Sequence, residues 1–214
     1  MRRFRWVAVA EWRAHRWRFI LAAIALASVV VTNLVSLHVD HLSQGLLNAN
    51  WRFSWSHGVD SVAFAAALVV AALAGRHARP ERRLWLATAT ILGVLFLDEV
   101  SPLHAQIDLL NIGEFSPGKL LYAPILLALL VCVWRLVEHT DQREVVLVGL
   151  ATLFLSFGMH VVGLGILRPL GYLSSIYQSG VGAKEGLELA GLLLLVPSLW
   201  ALGRRTTAPR SAQT

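Results

Sequence analysis

Cysteine is almost missing from this 214-residue sequence. The one present, Cys132, cannot form an intrachain disulfide, and no paired-Cys metal motif exists. Charge is scarce as well: 15% of residues are Asp, Glu, Lys or Arg, against about 25% in soluble domains. So few charges cannot dress a water-exposed shell. There is no His-Glu-x-x-His, no Glu-x-x-His of the helical di-iron type, no Gly-rich phosphate loop and no nucleophile elbow, so the enzyme classes those motifs mark have no support here. Stretches alternating polar with apolar residues are also wanting, which removes a transmembrane barrel. Acids are outnumbered, 13 to 19 basic residues, and the pI is near 10.4. The arginines stand in short runs between apolar stretches, however, which is how membrane topology is written and not how a nucleic-acid surface is built.

What the chain does have is apolar length. Hydrophobic residues make up 56%, mean hydropathy is +0.61, and six apolar segments stand out at about 19–37, 59–75, 84–99, 119–137, 145–167 and 184–202. Backbone polar groups in a bilayer must be satisfied within the segment, so each reads as a helix. The expected fold class is all-α: a polytopic bundle of about six transmembrane helices. The expected organisation is a basic, aromatic segment over 1–18, a six-helix domain over 19–203 and a disordered tail over 204–214. The first apolar run continues to Leu37, past the small residues around Ser28, and reads as an uncleaved helix and not a signal peptide.

Fifteen of the nineteen basic residues fall on one side of these six segments; only Arg52, Lys119, Arg168 and Lys184 fall on the other. The positive-inside rule then places both termini in the cytoplasm; the expected location is a bacterial inner (plasma) membrane.

With orientation fixed, the ionisable residues of the outer half carry the functional information. The apolar run Leu84 to Leu97 holds 14 residues, about 21 Å of helix against a hydrocarbon core of about 30 Å. Spanning with it draws Asp98 and Glu99 into the outer leaflet, at a helix end whose carbonyl dipole repels them. Ser101-Pro102 breaks that helix, and a short helix from Pro102 to about Leu110 would return His104 and Asp108 toward Glu99. The sixth segment is equally short after Glu188, so Glu185 and Glu188 sit in the first turns of its helix, near a positive helix end. Asp60 has the same position in the second segment. In the fifth, Thr152, Ser156 and His160 repeat at i, i+4, i+8 beside Gly149 and Gly163 as an internal face, and Gly182, Gly186 and Ala190 form a small-residue packing face in the sixth. The loop residues His38, Asp40, His41 and His57 add further donors. Imidazole and carboxylate ligands suit zinc, iron or manganese, and His104, His160, Glu99 and Glu185 are the expected metal set. Asp98, Glu99, His104 and Glu188 are the expected catalytic set.

The stretch Phe96-Leu97-Asp98-Glu99-Val100-Ser101-Pro102-Leu103-His104, together with Glu185-Gly186-Leu187-Glu188, resembles a group of uncharacterised bacterial multi-pass membrane proteins. That group shares a Leu-Asp-Glu segment, a nearby His-Glu pair and a Glu-rich start to the last helix. Here His104 is followed by Ala105, so the pair is incomplete. The resemblance implies a membrane fold and no particular activity.

Three functions fit an outward-facing acidic and histidine pocket in the lipid bilayer. One is a metal-dependent enzyme acting on a lipid or other amphiphilic substrate. A second is a proton- or cation-handling carrier or relay. The third is a non-catalytic membrane partner or assembly protein. The orientation itself is directly testable. Reporter fusions after Arg83 and Arg143 should report cytoplasm, and fusions near Gln44 and Asn111 the outer side; an external signal at Arg83 would reverse the bundle.

Overall fold

The computed structural model of the chain describes residues 2–39, 47–49, 54–78, 81–101 and 117–207. These form helices: α1 (Arg2–Val39), α2 (Trp55–His77), α3 (Arg82–Val100), α4 (Pro117–Val137), α5 (Arg143–Gly158), the four-residue α6 (Leu164–Leu167) and α7 (Ser175–Thr207). A π-helical turn, Met159–Gly163, joins α5 to α6, and a 3₁₀ turn, Arg168–Leu170, follows α6. No strand occurs among the described residues. Four helical stretches there are long and apolar enough to cross a membrane: His15–Val39, Trp55–His77, Arg143–Val161 and Ser175–Arg205.

Local chemistry sets the ends. Ser54 caps α2, its Oγ accepting the His57 N–H at 3.3 Å, and Ser174 caps α7 by accepting the Tyr177 N–H at 3.1 Å; both satisfy an otherwise orphaned first-turn donor. At the end of α3, Ser101 is extended (φ −136) and donates its N–H to the Leu97 carbonyl. A residue ahead of proline disfavours helical backbone, which is why the helix stops there. The expected break at Ser101-Pro102 is thus present as a helix end; the short helix proposed from Pro102 onward, with His104 and Asp108, lies outside the described residues.

The chain divides into two compact units. Residues 1–63 and 148–194 form the first, residues 64–147 and 195–214 the second. In the first, α1 and α7 meet backbone to backbone. A Cβ added at Gly182 would stand 2.9 Å from the Val30 Cα, and one at Gly186 would stand 2.9 Å from the Leu26 carbonyl oxygen. On the other side of α7, a Cβ at Gly191 would meet the Gly149 carbonyl oxygen at 2.8 Å and Leu153 of α5. Above the glycine contact lies a satisfied polar junction. The Asn33 amide donates to the Gln178 carbonyl (2.9 Å) and Oε1 (3.0 Å) and accepts the Ala49 N–H at 2.9 Å, while Gln178 donates to the Tyr172 carbonyl. Val29, Ala49, Tyr177, Val181 and Leu189 close the apolar core around it. The outer stripe of α1 carries exposed apolar residues at helical spacing: Trp17, Ile20, Leu21, Ile24, Val31 and Val35.

In the second unit α3 packs on α4. Gly75 of α2 lies against Leu86 of α3, and Gly203 of α7 against Ala74. Between α4 and α5 the Arg143 guanidinium covers the Trp134 ring at 4.8 Å. Arg205 forms a bidentate pair with Asp141 (Nη2 to Oδ2, 2.7 Å), which holds the Asp141 carboxyl below its ordinary range.

Three expectations need correction. The last helix starts at Ser175, not near residue 184, and its small-residue contact with α1 at Gly182 and Gly186 lies well inside it. The fifth segment does not run as one helix to residue 167; it passes into the π turn at Met159. Thr152 is not part of the internal face: its hydroxyl turns back to the Val148 carbonyl of its own helix, whereas Ser156 is buried.

Gly186→Ala should therefore cost about 1–3 kcal/mol by overpacking against Leu26. Gly58→Ala, with nothing within 4 Å of the added Cβ, should be neutral or stabilise by up to about 1 kcal/mol through helix propensity. Reversible unfolding in mixed micelles measures both, and equal stability of the two variants would contradict the close α1–α7 contact.

Candidate functional site

The early start of α7 changes the meaning of its acids. Glu185 and Glu188 stand in the third and fourth turns, about 15 Å or more from the helix start, where the helix dipole no longer supports them. Their charge is met by side chains instead. Lys184 Nζ lies 2.7 Å from Glu185 Oε1 and 3.9 Å from Glu188 Oε2. His57 Nε2, delivered by the first turn of α2, lies 3.9 Å from the same Glu185 Oε1. Side-chain exposure is 6% for Glu185, 16% for Lys184, 19% for Glu188 and 20% for His57, so the cluster is sheltered yet has an opening.

Backbone contacts hold it in place. Ser156 of α5 donates its hydroxyl to the Lys184 carbonyl at 2.9 Å, and Trp55, two residues before His57, donates its indole N–H to Thr32 of α1 at 3.1 Å. Asp60, three residues after His57, is fully buried. Because α2 begins at Trp55, Asp60 lies beyond its first turn, and the helix-start explanation expected for it does not apply; His57 likewise belongs to a helix and not to a loop.

The group brings two carboxylates, one ammonium and one imidazole together in a single sheltered cluster. Glu185, shared by Lys184 and His57, is the centre of the cluster.

Of the expected site residues, Glu185 and Glu188 are brought together through Lys184. His160 lies in the first unit on the π turn Met159–Gly163, one turn beyond Ser156. Such turns are single-residue insertions that occur often at functional sites. Asp98 and Glu99 belong to the second unit, half-buried in the last turn of α3. His104 lies outside the described residues. Among the described residues no three His, Cys, Asp or Glu side chains are grouped to hold a metal ion; His104, one of the expected ligands, is not among them. Sequence reasoning overlooked His57 and Lys184 as members of the site. The signal was available in the spacing of Lys184, Glu185 and Glu188 (i, i+1, i+4) and in Ser54 as a helix cap three residues before His57.

An all-helical protein with four helices of membrane-crossing length and a sheltered Lys–Glu–His cluster is the class defined by these observations. The chain belongs to the DUF8692 family, a domain of unknown function, whose model matches residues 19–202. No curated protein and no solved structure matches it.

The ion pair makes a specific demand. Lys184→Met strands Glu185 without its closest countercharge and should destabilise the fold by about 3 kcal/mol, whereas Lys184→Met combined with Glu185→Gln should recover most of that loss. Additive losses in a double-mutant cycle would show that the two groups do not interact.

Proposed function

We propose that this chain is an integral membrane protein of the bacterial inner membrane, with six spans and both termini in the cytoplasm, that handles protons through the His57–Glu185–Lys184–Glu188 cluster. The observation that carries the reading is the sheltered Glu185 carboxylate shared between an ammonium and an imidazole. Ionisable groups are kept in such a place for function far more often than for stability.

Position supports it. About twenty residues of α7 separate Lys184 from Arg204, roughly 30 Å of helix and about one hydrocarbon thickness. With Arg204 at the inner boundary, Lys184 stands at the outer one and Glu188 roughly 6 Å inside it. The exposed apolar stripe of α1 then faces lipid. A proton entering from the outer face meets His57 first and passes from it to Glu185 as Lys184 swings toward Glu188, and Glu188, about one turn deeper, is the next acceptor. Further titratable residues of the first unit are Asp60 on α2 and His160 on the π turn; α1 contributes none between residues 19 and 37.

The relay is favoured over a metal-dependent enzyme because the Lys184 ammonium already holds Glu185 at 2.7 Å. A divalent ion there would first have to displace it. The enzyme reading would need His104, Asp98 and Glu99 as its ligands and base.

The test uses purified protein in vesicles enclosing a pH-sensitive dye, with a proton gradient imposed from outside. Wild-type protein should dissipate the gradient, and Glu188→Gln and His57→Gln should each slow it by roughly tenfold or more, the size of effect expected for loss of a proton-transfer group. Both variants leave the Lys184–Glu185 pair intact. Unchanged rates in both would sink the proton reading.

A further inference from the structure

The short elements between α5 and α7 expose apolar side chains that the cluster does not use. Ile166, Leu170, Tyr172, Leu173 and Ile176 are each between 52% and 70% exposed, five large apolar groups within eleven positions. Their backbone is well held. Gly171 turns the chain with φ 88 and donates its N–H to the Arg168 carbonyl at 3.0 Å. Ser174 caps α7, the Tyr172 carbonyl accepts from Gln178 at 2.6 Å, and the Tyr172 and Tyr177 rings meet edge to face at 5.1 Å. The apolar groups are thus presented by a fixed scaffold.

From this arrangement we infer that residues 166–176 form an interfacial element that binds the outer phospholipid leaflet, with acyl chains against Ile166, Leu170, Leu173 and Ile176 and headgroups at Arg168 and Tyr172. Three observations choose lipid as the occupant. The segment is too short and irregular to cross a bilayer, since four helical and three 3₁₀ residues leave backbone groups that the hydrocarbon core would not tolerate. The Arg168 guanidinium lies 5.5 Å from the Tyr172 ring centre, and a cation beside an amphipathic aromatic suits the headgroup layer. The length of α7 agrees: Ile176 and Arg204 are separated by about 42 Å of helix, against about 40–45 Å for a bilayer with its headgroups. Val35 and Val39 are exposed as well, in the last turns of α1.

This rests on the spanning part of the proposed function and not on its proton chemistry. The experiment separates the two. In a Cys132→Ser background, nitroxide labels are placed by Leu173→Cys, by Val69→Cys in the middle of α2 and by His139→Cys in the α4–α5 connection. The full chain is reconstituted in phosphatidylcholine–phosphatidylglycerol vesicles, and collisions with oxygen and with a water-soluble nickel chelate are measured. Label 173 should meet the nickel chelate roughly threefold less than label 139 yet more than label 69, with oxygen collisions retained, as befits the boundary layer. Nickel access at 173 equal to that at 139, with 69 still protected, overturns lipid contact and leaves the spanning reading standing. Loss of both collision types at 173 overturns it in favour of a protein partner, and nickel protection equal to that at 69 overturns the interfacial depth. Free nickel access at 69 removes the spanning reading, and this inference with it.

Discussion

The first unit depends on how closely α1 and α7 approach. At Gly182 and Gly186 the two backbones are separated by less than a side chain's width. Glycine is poor in a helix interior by about 1 kcal/mol relative to alanine, and the return is dispersion contact along two backbones without any hydrophobic driving force between helices in lipid. That contact also decides which way α7 faces. At about 100° per residue, Lys184 and Glu188 are turned roughly 200° and 240° from Gly182. The face that touches α1 is therefore nearly opposite the face that carries charge. The Asn33–Gln178 junction sits one turn beyond the glycines and fixes the sliding register of the two helices, because each amide is fully partnered and a shift of one residue would leave it buried without bonds.

Much of this was legible in the residues. Apolar runs identified where helices lie, and Ser101-Pro102 marked where α3 must stop. The Gly182–Gly186 spacing announced a packing face. What misled was the stretch Ser175 to Gly180, which carries Ser175, Gln178, Ser179 and Gly180. It falls outside the apolar run by which the last helix was bounded, and apolar periodicity does not see a polar helix start. The same blindness displaced Asp60 and His57, because the first turn of α2 is polar and apolar periodicity begins only after it. For the site, the acids Glu185 and Glu188 were visible from their cost in a membrane segment. The partners Lys184 and His57 were not, because one was spent on topology and the other assigned to a loop. Nothing in the composition of Met159 to Gly163 announces a π turn.

Two ion pairs in the chain show how setting determines meaning. Asp141 and Arg205 are about half exposed and bidentate, and such a pair contributes about 0–1 kcal/mol, screened by salt. It pins the end of α7 to the α4–α5 connection with little energy at stake. Lys184 and Glu185 are chemically similar but sheltered, and the desolvation they suffer approaches what their attraction returns. An exposed pair can be exchanged or lost cheaply. A sheltered one with an extra carboxylate beside it is costly to break, because removing either partner leaves a desolvated charge behind.

The π turn at Met159–Gly163 has a consequence for how this chain can change length. A π turn holds one residue more than the α-helical path it interrupts. Elsewhere in α5, deleting a residue would rotate everything after it by about 100° and carry the buried stripe out of its contact with α7. Within 159–163 a deletion can instead be absorbed by closing the turn to regular α-helix, so that Leu153 and Ser156 on one side, and the segment from Leu164 on the other, keep their faces. The turn is thus the place along this segment where related sequences can differ by one residue and preserve the Ser156–Lys184 contact. The side chains within the turn, His160 among them, would be the ones that change direction.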